Sequence, residues 1–249
     1  MKRNIIVSFC MLLLLGFSLN ARCAGRKVML KGTVAHYDAQ DSVELYDALG
    51  RQKAALEKAV VEKSVFKFYY NPVETGYYIV HFANGKNVLC VLVPDRPAEL
   101  GMDASNGMIT AVKNSPENEL LMQYQQLLLQ LERQKDSLVR AHQETPDPNI
   151  QQKMQDLENR RGSMLAKLCW EHADNYAAAA LLENIKYEQS PVVFDTVFAR
   201  LARKYPNDTY IKYRSEEMAA SKFLAVGAVA PDFTLSDTNG VPVSLSSFK

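Results

Sequence analysis

At Ser115-Pro116 the spacing of apolar residues changes, and that change limits what the chain can fold into. Upstream, Phe66, Phe68 and Tyr70 alternate with Lys67 and Tyr69, the period of two that a half-buried strand requires. Downstream, Leu120, Tyr124, Leu127, Leu131 and Leu138 recur at three, four or seven residues and form the apolar stripe of an amphipathic helix. Strands gathered in one block and helices in the next predict an α+β protein.

The strand block runs over 27–114. Val28 to Ala35 and Ser42 to Tyr46 are β-rich and flank a polar turn at Asp38 to Asp41. Tyr77 to Ala83 and Asn87 to Val93 flank Asn84-Gly85, a pair that suits the positive φ angles of a type I′ hairpin turn. Gln52 to Lys63 has the Ala, Leu, Glu and Lys content of a helix. Its neighbours are strands and its connections short, so it reads as a strand. The expected architecture is an antiparallel β sandwich or open barrel.

The helical block covers 115–223. Ser115 is placed to cap a helix that begins with Pro116, where a missing N–H costs nothing. Thr145-Pro146-Asp147-Pro148 breaks that helix. A second starts near Asn149 with Ile150, Met154, Leu157, Met164, Leu165 and Leu168 on one face, so the two form an antiparallel pair. Shorter helices follow at Tyr176 to Ile185, at Val192 to Tyr205 behind Ser190-Pro191, and at Thr209 to Phe223 behind Asp208. Asn207-Asp208-Thr209 matches a glycosylation sequon, but a turn and cap explain it more simply.

The segment 224–249 returns to strand and turn. Val229 to Leu235 is extended, Asp237 to Gly240 a turn, and Val241 to Leu245 a short strand. Two strands alone are marginal in water, so the segment reads as the start of a domain that continues past Lys249.

The N-terminus reads as an export signal over 1–24. Lys2 and Arg3 precede an apolar stretch from Ile5 to Leu19, and small residues at Ala21, Cys23 and Ala24 suit cleavage. Acylation at Cys23 would require a small residue where Arg22 stands. The expected location is the periplasm or cell envelope, with membrane contact only through the signal or a lipid on Cys23. The net charge of +1 changes sign once Lys2, Arg3 and Arg22 leave, and such a near-neutral body argues against nucleic acid as a partner.

Candidate chemistry is sparse. Beyond the signal, Cys90 lies in a strand-like run and Cys169 in a helical one, and no CxxC pair occurs. Each reads as a small buried apolar residue, with pairing in an oxidising compartment as the alternative. His36, His81, His142 and His172 have no ligand spacing, and no HExxH, GxSxG, P-loop or GxGxxG motif is present. Glu132, Asp136, Asp156 and Glu158 alternate with Lys and Arg as solvated helix faces. No catalytic, metal-binding or cofactor-binding residue is assigned, and no cofactor is expected. Tyr69, Tyr70, Tyr77, Tyr78 and Phe82 concentrate aromatic rings on neighbouring strands. They suit core packing, or else a concave face that docks a peptide, a protein or a further domain.

Ala230-Pro231-Asp232-Phe233-Thr234-Leu235, with Asp237, Gly240, Val243, Leu245 and Ser246-Ser247-Phe248-Lys249, resembles the opening of the thioredoxin-fold family that contains TlpA/ResA-like thiol–disulfide oxidoreductases and AhpC/TSA peroxiredoxins. In that family a hydrophobic strand and a WCxxC-type motif follow. Val112 to Leu120 resembles the end of the β domain that often precedes such reductases in Bacteroidetes-type bacteria, with Asn114 where Gly is usual. Tyr176 to Leu182 and Lys204-Tyr205-Pro206 are similar to the helical spacer of the same proteins. The resemblance implies the non-catalytic N-terminal part of an exported thiol–disulfide oxidoreductase, its protein thiol and disulfide partners being met by the following domain. Neither Cys90 nor Cys169 stands at a redox position of that family. A standalone envelope binding module and a peroxiredoxin-like peroxidase fragment are the alternatives.

Overall fold

The computed structural model describes residues 27–37, 41–223 and 232–248. Residues 1–26, where an export signal is expected and which include Cys10 and Cys23, most of the expected Asp38 to Asp41 turn, and 224–231 lie outside the described residues. The fold is mixed α+β, with two four-stranded sheets, neither closed into a barrel, and a helical block.

The strand block contributes β1 (Leu30–Ala35), β2 (Ser42–Asp47), β3 (Glu57–Val60), β4 (Val65–Phe68), β5 (Gly76–Phe82), β6 (Asn87–Leu92), β7 (Ala98–Asp103) and β8 (Met108–Lys113). One sheet has the order β4-β1-β7-β8 and the other β3-β2-β5-β6. Their alternate residues share one apolar core, including Leu30, Phe66, Phe68, Leu100 and Met102 from the first sheet and Leu45, Val80, Phe82, Val88 and Cys90 from the second.

The expectation of a wholly antiparallel β domain is corrected at one pair. β1 and β7 run parallel, from Leu30 opposite Ala98 to Ala35 opposite Asp103. The connection between them includes the whole second sheet, and a long crossover is what a parallel pair needs. Period-two patterning reports a strand's buried face, not its neighbour, so this pairing is absent from the local pattern.

Gln52 to Lys63 is strand only at Glu57–Val60. β7 and β8, which no pattern in the sequence singled out, complete the first sheet around Gly101, where a Cβ would meet Thr110 Oγ1 at 2.7 Å. The β5–β6 hairpin forms as expected, but its turn is not type I′. Gly85 alone of the pair has positive φ, at 82°. Its N–H donates to Phe82 O (2.9 Å) and Phe82 N–H donates to Lys86 O (2.9 Å), a three-residue loop with glycine in the left-handed position. Asn84 contributes its side chain instead, accepting from Lys86 N–H at 3.0 Å and donating to Ala104 O at 2.9 Å.

α1 (Pro116–Glu144) opens as its sequence indicates, the Ser115 side chain accepting from Asn118 N–H. Asn114, just before the cap, has φ 59°. Asn is among the few residues that enter this left-handed region readily. After α1, His142 Nδ1 accepts the Asp147 N–H (2.9 Å), and Asp147 accepts from Asn149 N–H (2.8 Å) and Lys153 Nζ (2.6 Å). α2 (Ile150–Glu171) follows. α3 is shorter than expected, Ala177–Leu182, while α4 (Pro191–Lys204) and α5 (Thr209–Phe223) keep their predicted places. Ser190 precedes α4 without a side-chain cap bond. Asp208 is buried and caps α5 by accepting from Ile211 N–H at 2.9 Å.

Two polar devices seat the helices on the sheets. From α1, Asn118 bonds the backbone of β6 at Val91 and Gln125 accepts Ile109 N–H of β8 at 2.8 Å. β6 and β8 are outer strands, so α1 covers an edge of each sheet. Arg96 and Glu117 form an ion pair beside the start of the helix. From β5, Tyr77 reaches into the helical block, its hydroxyl donating to Tyr176 O (2.5 Å) and accepting from Ala180 N–H (3.2 Å).

Separately, β9 (Thr234–Ser236) and β10 (Pro242–Ser244) form an antiparallel ribbon. Asp232 fastens its base, accepting from Ser246 N–H (2.8 Å) and Ser246 Oγ (2.7 Å). Among the described residues, no helix is long and apolar enough to cross a membrane.

Candidate functional site

The five clustered aromatics do not form one concave face. Alternation sends Tyr77 and Tyr78 to opposite sides of β5. Tyr77 is buried under the helices, its ring 4.9 Å from that of Tyr176 and 5.4 Å from that of Tyr210. Burial drives its phenol far above the ordinary tyrosine range, so it stays a neutral donor. Tyr78 and Phe82 are buried in the interior of the sandwich. Three of the five are therefore core, and only Tyr69 and Tyr70 are left at an open site.

Tyr69 and Tyr70 follow the end of β4 and line a cleft of about 470 Å³ with Lys27, Met29, Leu56, Glu57, Asn71 and Asp95. Glu57, at the start of β3, anchors the tyrosine segment. Its Oε2 accepts the backbone N–H of Tyr69 (2.8 Å) and of Tyr70 (2.7 Å). Asn71 and Asp95 brace the opposite wall: Asn71 Nδ2 donates to Asp95 Oδ1 at 2.8 Å, and Asp95 N–H donates to Asn71 Oδ1 at 3.0 Å. Lys27 Nζ donates to Asp95 O at 2.9 Å. The Tyr70 ring leans on buried Tyr78, centroids 5.7 Å apart. Glu57, Asn71 and Asp95 were not legible as site residues, because they meet across 12 to 24 positions of sequence with no shared motif.

Among the described residues, Cys90 and Cys169 are poorly placed for thiol chemistry in the folded chain. Cys90 and Cys169 are both free and buried, which answers the question of their pairing. Burial pushes both thiols up to about 12, leaving almost no thiolate at neutral pH.

The histidines are dispersed. His36 lies beside Asp103 (3.1 Å), His81 beside Asn87 (2.7 Å), His142 serves the α1–α2 turn, and His172 ends α2. Among the described residues no three metal-ligating side chains converge. On the helical hairpin, Glu132 pairs with Lys135 and Glu158 with Arg161, the first at 3.0 Å and the second at 2.9 Å, as solvated faces do. A second, more apolar hollow of about 710 Å³ lies between this hairpin and the β7–β8 turn, lined by Met108, Leu128, Leu131, Met154 and Leu157 among others.

The C-terminal ribbon exposes its apolar side chains: Phe233 is 55% exposed, Leu235 67%, Val241 54% and Phe248 78%. No family model, no curated protein and no solved structure matches this chain.

Proposed function

We propose that this chain is the non-catalytic N-terminal part of an exported thiol–disulfide oxidoreductase. The sandwich and helices hold and orient a thioredoxin-like domain that opens at the β9–β10 ribbon. The observation that carries the reading is the ribbon itself. It has the Pro-Asp-Phe…Leu…Asp…Gly…Val order of that family's opening, and it exposes four large apolar side chains. A two-stranded ribbon with bare apolar residues is marginal in water and is stabilised by a larger sheet against which to pack.

The chemistry of the intact protein would be dithiol–disulfide exchange. A thiolate attacks one sulfur of a substrate disulfide and forms a mixed disulfide, releasing the other substrate sulfur as a thiolate. A second cysteine of the enzyme then attacks the mixed disulfide, freeing the reduced substrate and leaving the enzyme oxidised. Cys90 and Cys169, buried with thiols near 12, are unsuited to either role, so both cysteines belong to the domain that follows the ribbon.

Insulin reduction by dithiothreitol tests this reading. The chain alone should match buffer, and the longer envelope product should reduce insulin until it is alkylated. Activity of the chain alone that survives joint Cys90→Ser and Cys169→Ser replacement would overturn it. A second reading, an envelope binding module, draws its support from the Tyr69–Tyr70 cleft.

A further inference from the structure

We infer that the Tyr69–Tyr70 cleft binds the cationic side chain, arginine or lysine, of an extended segment of a partner polypeptide. The inference is independent of the oxidoreductase reading, since it rests on the β domain alone.

Glu57 is partly buried beside Tyr69, Tyr70, Met29 and Leu56. Its Oε2 is occupied by two backbone N–H groups, and among the described residues no cation pairs with it and nothing donates to Oε1. Among the described residues Asp95, across the cleft, also lacks a cationic partner for its carboxylate. Lys27, the cleft's own ammonium, donates to the Asp95 backbone carbonyl. A half-buried carboxylate is stabilised by an opposite charge, and tyrosine faces attract the same charge through their ring quadrupoles. An anionic ligand would meet two carboxylates and is disfavoured. Apolar Met29 and Leu56 suit the methylene stem of a long cationic side chain.

Strand geometry favours a polypeptide over a small cation. β3 begins at Glu57 and pairs with β2 on one side only. α1 serves the outer strands β6 and β8 through Asn118 and Gln125, whereas among the described residues the sandwich margin that carries β3 and β4 receives no such amide. An extended segment can therefore lie along this margin while its cationic side chain enters the cleft.

The test titrates the chain with two blocked pentapeptides, acetyl-Val-Arg-Val-Arg-Val-amide and its Glu counterpart, by calorimetry and by amide chemical shifts. The Arg peptide should bind at least about tenfold more tightly than the Glu peptide, with shifts centred on Met29, Glu57, Tyr69, Tyr70 and Asp95. Glu57→Gln keeps an acceptor for the two backbone N–H groups but removes the charge, and should weaken binding about tenfold. Tyr69→Phe should preserve binding and Tyr69→Ala reduce it a few-fold. Thermal unfolding identifies any variant that has lost its fold, and the Arg-versus-Glu contrast on the unaltered chain needs no variant. Equal affinity for both peptides, no binding of either, shifts centred elsewhere, or Arg-peptide binding unchanged by Glu57→Gln would each overturn the inference.

Discussion

The side-chain amide of Asn118 bonds both backbone groups of Val91, accepting from its N–H at 2.8 Å and donating to its C=O at 2.8 Å. An amide from the first turn of α1 thus does for β6 what a further strand would do. It also donates to the Ser115 hydroxyl at 2.6 Å, so the helix cap and the sheet edge share one network. Asn118 is fully buried, and removing it strands several polar groups away from water.

Asn118→Leu is accordingly expected to cost about 2–4 kcal/mol of stability, in the range for buried polar groups left without partners. Urea unfolding followed by circular dichroism measures it. A loss below about 0.5 kcal/mol would mean that the amide does not join helix to sheet.

Asn114 tests the left-handed backbone ahead of α1. Asn114→Gly should leave stability within a few tenths of a kcal/mol or raise it, and Asn114→Val should lower it by about 1–2 kcal/mol. The same urea midpoints decide, and equal midpoints for the Gly and Val variants would contradict the φ of 59°.

Cys90 and Cys169 should resist maleimide at neutral pH in the folded chain and react promptly in denaturant, because burial holds both thiols near 12. Peptide mapping after a timed pulse reads each site. Rapid native labelling of either would return that cysteine to consideration as a redox group.

The α1–α2 turn should loosen in acid. The Lys153 ammonium at 2.6 Å, then the Asn149 N–H, hold the Asp147 carboxyl below the usual carboxylate range. A depressed folded value contributes stability that is complete above the unfolded value and is lost as pH falls through the folded one. Carboxyl NMR should place the Asp147 midpoint below that of a free aspartate, and Lys153→Met should raise it. No change in that variant would contradict the pairing.

Features settled within a few residues were legible in the sequence. The change of period at Ser115, the Pro116 start, the Pro146–Pro148 break and the Asp208 cap each depend on near neighbours, and the structure places all of them as expected. Features set by distant partners were not. The parallel β1–β7 pair joins residues 68 positions apart, and Asn84-Gly85 signals a hairpin without choosing between turns that both place Gly at positive φ. The tyrosine cluster shows the limit most clearly. Alternation assigns Tyr77 to a face of β5, but only the packing of α3 and α5 turns that face into interior. Glu57, the residue that organises the cleft, lay in a stretch of helical propensity and carried no signal.

The most direct test of the central proposal is the intact mass of the endogenous protein, captured from the envelope fraction with an antibody against the α1–α2 hairpin. The proposal predicts a mass greater than that of the processed chain by a thioredoxin-sized domain, about 100 residues, with peptides beyond Lys249 that contain a CxxC pair. A mass equal to that of the processed chain would contradict it and leave a binding protein whose recognition site is the Tyr69–Tyr70 cleft.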